Sequence, residues 1–246
     1  MLISRKVAPT SRLVIVLSAL LFLTACSTSA PVKTPPALNV AMTKAAQDQV
    51  TPDIAIQLLK DGNQRFITGT TLKRDLLAQQ KASGVNGQFP IASIVSCIDS
   101  RSDPAIVFDQ GVGDIFINRV AGNIVNEDIL GSLEYASKVV GARAIVVLGH
   151  THCGAVKGAC DNAVLGNLTQ LVAKIAPAVK ATPDTEGTDR SSKNHHFVDA
   201  VAEMNVKVTV DAITQKSPVL KEMVSKGQIK IIGAMLDVET GKIEFY

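Results

Sequence analysis

The 246-residue sequence has no tryptophan, and aromatic residues make up only 4% of it. A core cannot be built around large rings here. It must come from Ala, Val, Ile and Leu, a palette that suits helices packed on a buried sheet. Charge of one sign is scarce as well: 25 Lys and Arg are interspersed with 22 Asp and Glu, a net charge of +3, with no basic stripe to serve as a nucleic-acid footprint. Only four cysteines occur, Cys26, Cys97, Cys153 and Cys160, too few for a disulfide framework once one of them is assigned elsewhere. With 46% hydrophobic and 19% charged residues, the remainder has the balance of one ordinary globular domain with a small appendage.

The appendage is N-terminal. Arg5, Lys6 and Arg12 precede an apolar run from Leu13 to Leu23, which suits a secretory signal and is short of the ~20 residues a spanning helix needs. Leu23, Thr24, Ala25 and Cys26 follow, and they resemble the lipobox of bacterial lipoproteins. The expectation is a signal peptide over 1–25 and a lipidated Cys26 as the mature N-terminus. A Ser/Thr/Pro-rich flexible tether and N-terminal arm would follow over 26–50, and one folded domain over 51–246. The protein is then exported, anchored to a membrane by lipid, and faces the periplasm or the cell exterior.

Along the domain, Thr51 and Pro52 read as the cap and first position of a helix ending near Gly62. The runs 91–97, 114–120 and 144–150 are β-branched and lack amphipathic alternation, so each reads as a strand buried on both faces, and 228–237 as a fourth. A short fifth strand follows the turn at 239–241. Helices are expected over 126–141, over 165–179 and over 197–213, with His195 and His196 in a polar loop before the last. Strands alternating with helices predict an α/β fold with a mostly parallel central β-sheet flanked by helices, whose ligands lie at the carboxyl ends of strands.

Cys97 and His150 stand at such ends, Cys97 within Cys-Ile-Asp-Ser-Arg and His150 within His-Thr-His-Cys. Two thiolates and an imidazole select zinc, and three protein ligands leave one position open for chemistry. Asp99 and Arg101 sit where an ion pair could control that position. His152 competes poorly as a ligand with His150 two residues away, and Cys160 reads as a small buried hydrophobe.

The order Cys97, Asp99, Arg101, then His150 and Cys153, resembles the zinc signature of β-class carbonic anhydrases. The resemblance extends through 63–66, 88–90, 119–123, 133–136, 147–154 and 233–241. It implies one Zn²⁺ per chain and reversible hydration of CO₂ to bicarbonate by a homodimer or higher homo-oligomer. It also implies Asp99 as either the fourth zinc ligand or the partner of Arg101, Gln88 as a substrate-orienting amide, and Phe116 and Tyr135 as pocket residues contributed across a dimer interface. Two thiolates offset the charge of the ion, so alkaline conditions should favour activity, and removing Arg101 should free Asp99 for the metal. Some bacterial members build a noncatalytic bicarbonate pocket on a Trp near the first zinc cysteine; this chain has Ile94 there. The rival readings are a related hydrolase of COS or CS₂, and a noncatalytic bicarbonate-sensing module, for which Asp99, Arg101 and Gln88 would be superfluous.

Overall fold

In the computed structural model, residues 40–183 and 187–246 are described. Cys26, the apolar run before it and most of the tether lie outside the described residues. None of the described helices is long and apolar enough to cross a membrane.

The chain runs through α1 (Lys44–Asp48), α2 (Pro52–Ile67), α3 (Leu76–Asn86), β1 (Ala92–Ser96), α4 (Pro104–Val107), β2 (Ile115–Arg119) and α5 (Glu127–Glu134). It continues through β3 (Ala144–His150), α6 (Gly154–Cys160), α7 (Gly166–Ala173), α8 (Ala176–Ala181), α9 (His195–Lys216), α10 (Pro218–Ser225), β4 (Lys230–Leu236) and β5 (Ile243–Phe245). The sheet has the order β2-β1-β3-β4-β5, parallel throughout except for β5. Strand β1 therefore lies between β2 and β3. The chain leaves β1 towards one side of the sheet and crosses to the other after β2, which opens a crevice beyond the carboxyl ends of β1 and β3.

Helices cover both faces, as the α/β reading requires. Ile94, Val146, Leu148 and Ala234 pack with Ile54 and Leu59 of α2 on one face. Val95, Ile145 and Val147 pack with Val206 and Ile213 of α9 on the other. This alternation is the two-residue period of a strand buried on both sides, and every residue of β1 and β3 is buried.

Several local expectations give way to tertiary contacts. Helix α2 starts at its Thr51 cap, whose side chain accepts from the Ile54 N–H, but continues through Gly62 to Ile67. Gly62 is there for close approach rather than termination: a Cβ on it would lie 1.8 Å from the Phe108 carbonyl oxygen. Strand β2 is only partly buried, because among the described residues no strand covers its outer side, and β4, expected to be buried, has Lys230 exposed and Ile231 and Ile232 half-buried, because the short β5 pairs only with Ala234–Leu236. The helix expected over 165–179 is two, α7 and α8, with Pro177 in the first turn of the second. His195 is the first residue of α9, capped by Asn194, rather than part of a loop. Helix α5 runs into a wider π turn over Tyr135–Val140 and stops at left-handed Gly141 (φ 96°), the expected end. Upstream, the buried Gln47 of α1 donates to the Pro90 carbonyl at 2.8 Å, just before β1.

Candidate metal centre

Cys97 follows the last residue of β1, His150 is the last residue of β3, and Cys153 caps α6. Neighbouring parallel strands thus bring the three side chains to one place. Their ligand atoms lie within 4.8 Å of one another and could hold a metal ion. All three are buried, at 4%, 0% and 1% exposure. The two Sγ atoms are 4.0 Å apart, about twice the length of a disulfide bond. His150 places Nδ1 2.8 Å from the Thr151 carbonyl, a contact that takes an Nδ1–H and so, in the neutral imidazole, leaves Nε2 free to bind a metal. That Nε2 is buried and has no hydrogen-bond partner.

The electrostatics favour a thiolate. The Cys97 thiol is pulled down to about 4, first by the hydrogen bond from Cys153, against the opposing effect of burial, then by His150 and the N–H of Gly122. Cys153, the donor in that hydrogen bond, is pushed up, and burial adds to it. Burial alone would lower His150; its contact with Cys97 and the charge there raise it instead.

Asp99 and Arg101 stand at the rim. Asp99 opens the short 3-10 turn Ser100–Ser102 by accepting the Arg101 N–H at 2.9 Å. It also takes a two-pronged contact from the guanidinium, Nε to Oδ1 at 3.0 Å and Nη2 to Oδ2 at 2.8 Å. That contact holds the carboxyl well below the usual range. The same Oδ2 is 4.0 Å from His150 Nε2, so Asp99 is turned towards Arg101 while remaining beside the cluster. Arg119, at the end of β2, braces the turn from below. It donates to the carbonyls of Cys97 (2.9 Å) and Asp99 (2.6 Å) and pairs with Asp103 (3.1 Å).

Gln88, Phe116 and Tyr135 gather elsewhere. They line an open cavity of about 730 Å³ along β2 and α5, which none of Cys97, His150, Cys153, Asp99, Arg101 and Arg119 lines. His152, left-handed at φ 58°, turns away from the cluster: its ring meets His195 edge-on at 5.4 Å and its Nε2 is 3.4 Å from Glu239. Cys160 is buried in the apolar cluster under α9, as expected of a small hydrophobe. Sequence reasoning missed the Arg119 brace and the Gly122 N–H that reaches Cys97 Sγ at 3.4 Å. The segment 119–123 stands out in the sequence only by its resemblance, and nothing in it marks a contact across to β1.

A parallel α/β sheet carrying a buried two-thiol, one-imidazole centre at its switch point, with an acid and an arginine at the rim, defines a class of metal-dependent α/β proteins. A model of the carbonic anhydrase family matches residues 92–243. Carbonic anhydrase 2 of Mycobacterium tuberculosis is 34% identical over 196 residues, 78% of this chain and 91% of that one. The carbonic anhydrase of Mycolicibacterium smegmatis is 34% identical over 198 residues, 78% and 92% of the two chains. Among solved structures, a β-carbonic anhydrase of Aspergillus fumigatus superposes with a TM-score of 0.59 at 27% identity, over 68% of this chain and 84% of that one. The β-carbonic anhydrase CcaA does so at 0.59 and 25%, over 78% and 94%. The chain belongs to the carbonic anhydrase family, in its β class.

Proposed function

We propose that this chain converts carbon dioxide and water reversibly to bicarbonate and a proton, using one zinc ion held by Cys97, His150 and Cys153. The observation that carries the reading is the Asp99–Arg101 pair, fastened by two guanidinium contacts and 4.0 Å from the orphaned Nε2 of His150. A purely structural metal site has no use for it. The donors fit zinc: two sulfurs ~2.3 Å from one ion at a tetrahedral angle would be roughly 3.8 Å apart, close to the 4.0 Å found. A cation would also satisfy the partnerless Nε2. When bound, zinc would supply Lewis-acid activation of water, and the two thiolates place that activation towards alkaline pH.

The chain's own residues supply the rest. Arg101 keeps Asp99 ionised and aimed, so its carboxylate can accept a hydrogen bond from the reacting water and fix the direction of attack. Gln88 offers an amide to a substrate oxygen, and Phe116 and Tyr135 supply an apolar wall that excludes competing water. Because these three line a cavity apart from the cluster within one chain, the reading includes a homodimer or higher homo-oligomer in which a second copy brings them to the centre. The uncovered edge of β2 and the exposed Tyr135 and Val139 support that assembly. The reading further includes export and lipid anchoring through Cys26.

Stopped-flow CO₂ hydration by the zinc-loaded protein tests the proposal. Turnover well above the uncatalysed rate, lost in Asp99→Asn with zinc retained, is the expected result. A folded, zinc-loaded protein without turnover would defeat it.

A further inference from the structure

Helix α9 carries a buried amide where its neighbours are apolar. Asn205 is 1% exposed and lies among Val201, Ala202, Val206 and Thr209 on the buried face. An amide in such a place is costly unless bonded, and its Nδ2 donates to the Gly122 carbonyl at 2.8 Å. The N–H of the same Gly122 donates to Cys97 Sγ at 3.4 Å. Gly122 is thus held from both sides, by α9 at its carbonyl and by the cysteine at its N–H.

A single backbone bond, Asn123 N–H to the Val120 carbonyl at 3.0 Å, closes the turn there, in an unusual conformation. Gly122 is left-handed (φ 73°, ψ 20°), and a Cβ on it would stand 2.5 Å from Ile175 Cδ1. Asn123 follows with φ 42°, a left-handed conformation that a non-glycine residue adopts at a cost, and its own Nδ2 is buried without a partner. Two consecutive left-handed residues in a buried turn persist only when the surroundings over-determine them.

We infer that Asn205 is a positioning residue for the metal centre: it holds the Gly122 peptide so that its N–H stays on the Cys97 thiolate. The inference rests on the assignment of Cys97 as a zinc ligand. An N–H···S hydrogen bond draws electron density from a thiolate, so losing it should change both how tightly the ion is held and the spectrum of the sulfur–metal bond. Outer partners of metal ligands typically contribute about 10–100-fold in metal affinity.

The test compares the full-length wild type with Asn205→Ala, and with Val206→Ala as a neighbouring cavity control. Zinc affinity is measured by competition with a chromophoric chelator, and the sulfur-to-metal charge-transfer band is recorded on Co²⁺-loaded protein. Asn205→Ala should hold zinc about 10-fold or more weakly and shift the band to lower energy, while Val206→Ala leaves both in place. In ¹¹³Cd-loaded wild type, the Gly122 amide proton should couple to the metal across the hydrogen bond, a readout that does not depend on whether a variant folds. Absence of that coupling, an unmoved affinity and band in Asn205→Ala, or equal changes in Val206→Ala would each overturn the inference. A wild type that takes up no metal would overturn the zinc assignment, and this inference with it.

Discussion

The two sides of the centre are built differently. Cys97 and His150 stand at the ends of two fully buried strands, Cys153 caps α6, and all three are buried, whereas the Asp99–Arg101 pair stands on a short turn, its side chains 19% and 51% exposed. The buried side is fixed by the sheet, and its geometry cannot change without moving the core. The rim is fixed by hydrogen bonds alone. The lesson is a division of labour: the rigid half suits holding an ion, and the half secured by a breakable pair suits controlling what reaches it.

The largest break in that comparison comes from the buried side. Cys97→Ser and His150→Ala should each lose most zinc and all measurable hydration, seen by metal analysis beside the stopped-flow assay. Full zinc occupancy in both variants would end the assignment. At the rim, Arg101→Ala should keep its zinc while kcat/KM falls by about 100-fold or more, because a freed Asp99 can turn to the metal. Arg101→Lys should recover only part, since a point charge cannot replace the fork. An Arg101→Ala enzyme with wild-type activity and the same alkaline limb in its pH profile would show that the pair is no gate.

A third test sets the rim pair against a buried one. Asp109 takes Arg65 and Arg74 at 2.5 Å each, with the acid 4% and Arg74 8% exposed. Burial alone would raise the Asp109 carboxyl, but the bonds from Arg65, Arg74 and the Leu72 N–H leave it below its ordinary value. A folded value below the unfolded one contributes stability above the ordinary carboxylate range, and that stability is lost as pH falls through the folded value. Asp109→Ala should therefore cost about 3 kcal/mol at neutral pH by stranding Arg74, and its deficit should shrink in acid. A denaturant titration at two pH values decides this; an equal deficit at both would refute it. The smallest catalytic effect belongs to Cys26→Ser. Fatty-acid labelling of cells should mark the wild type only, while kcat/KM stays unchanged, and an unlabelled wild type would remove the anchoring proposal.

What was legible in the sequence follows the same division. Strands β1 and β3 could be read because burial on both faces selects unbroken β-branched runs, and the ligands because donor types at strand ends have few other uses; β4 carries a similar apolar run although Lys230 is exposed and Ile231, Ile232 and Met235 are only half-buried. Features that depend on a neighbour could not. Gly62 reads as a helix end until the Phe108 carbonyl is seen against it, β2 reads like β3 until its outer edge is found uncovered, and Asn205 is one polar residue in a long helix until Gly122 is opposite. Helix α3 gave no signal, since only its Gln79 is buried and Leu76, Leu77 and Val85 are exposed.

The strand order also has a kinetic side. Strand β3 must find β4 across the whole of α6 to α10, Ala144 pairing with Lys230. Closing so long a loop costs chain entropy before any contact repays it, so the last parallel pair is expected to form late and slowly. Cys97, His150 and Cys153 belong instead to the earlier β1–β3 pair and the turn that follows it. The ion's donors can therefore meet before β4 has found its place, and a metal captured then would act as a staple on a half-built sheet.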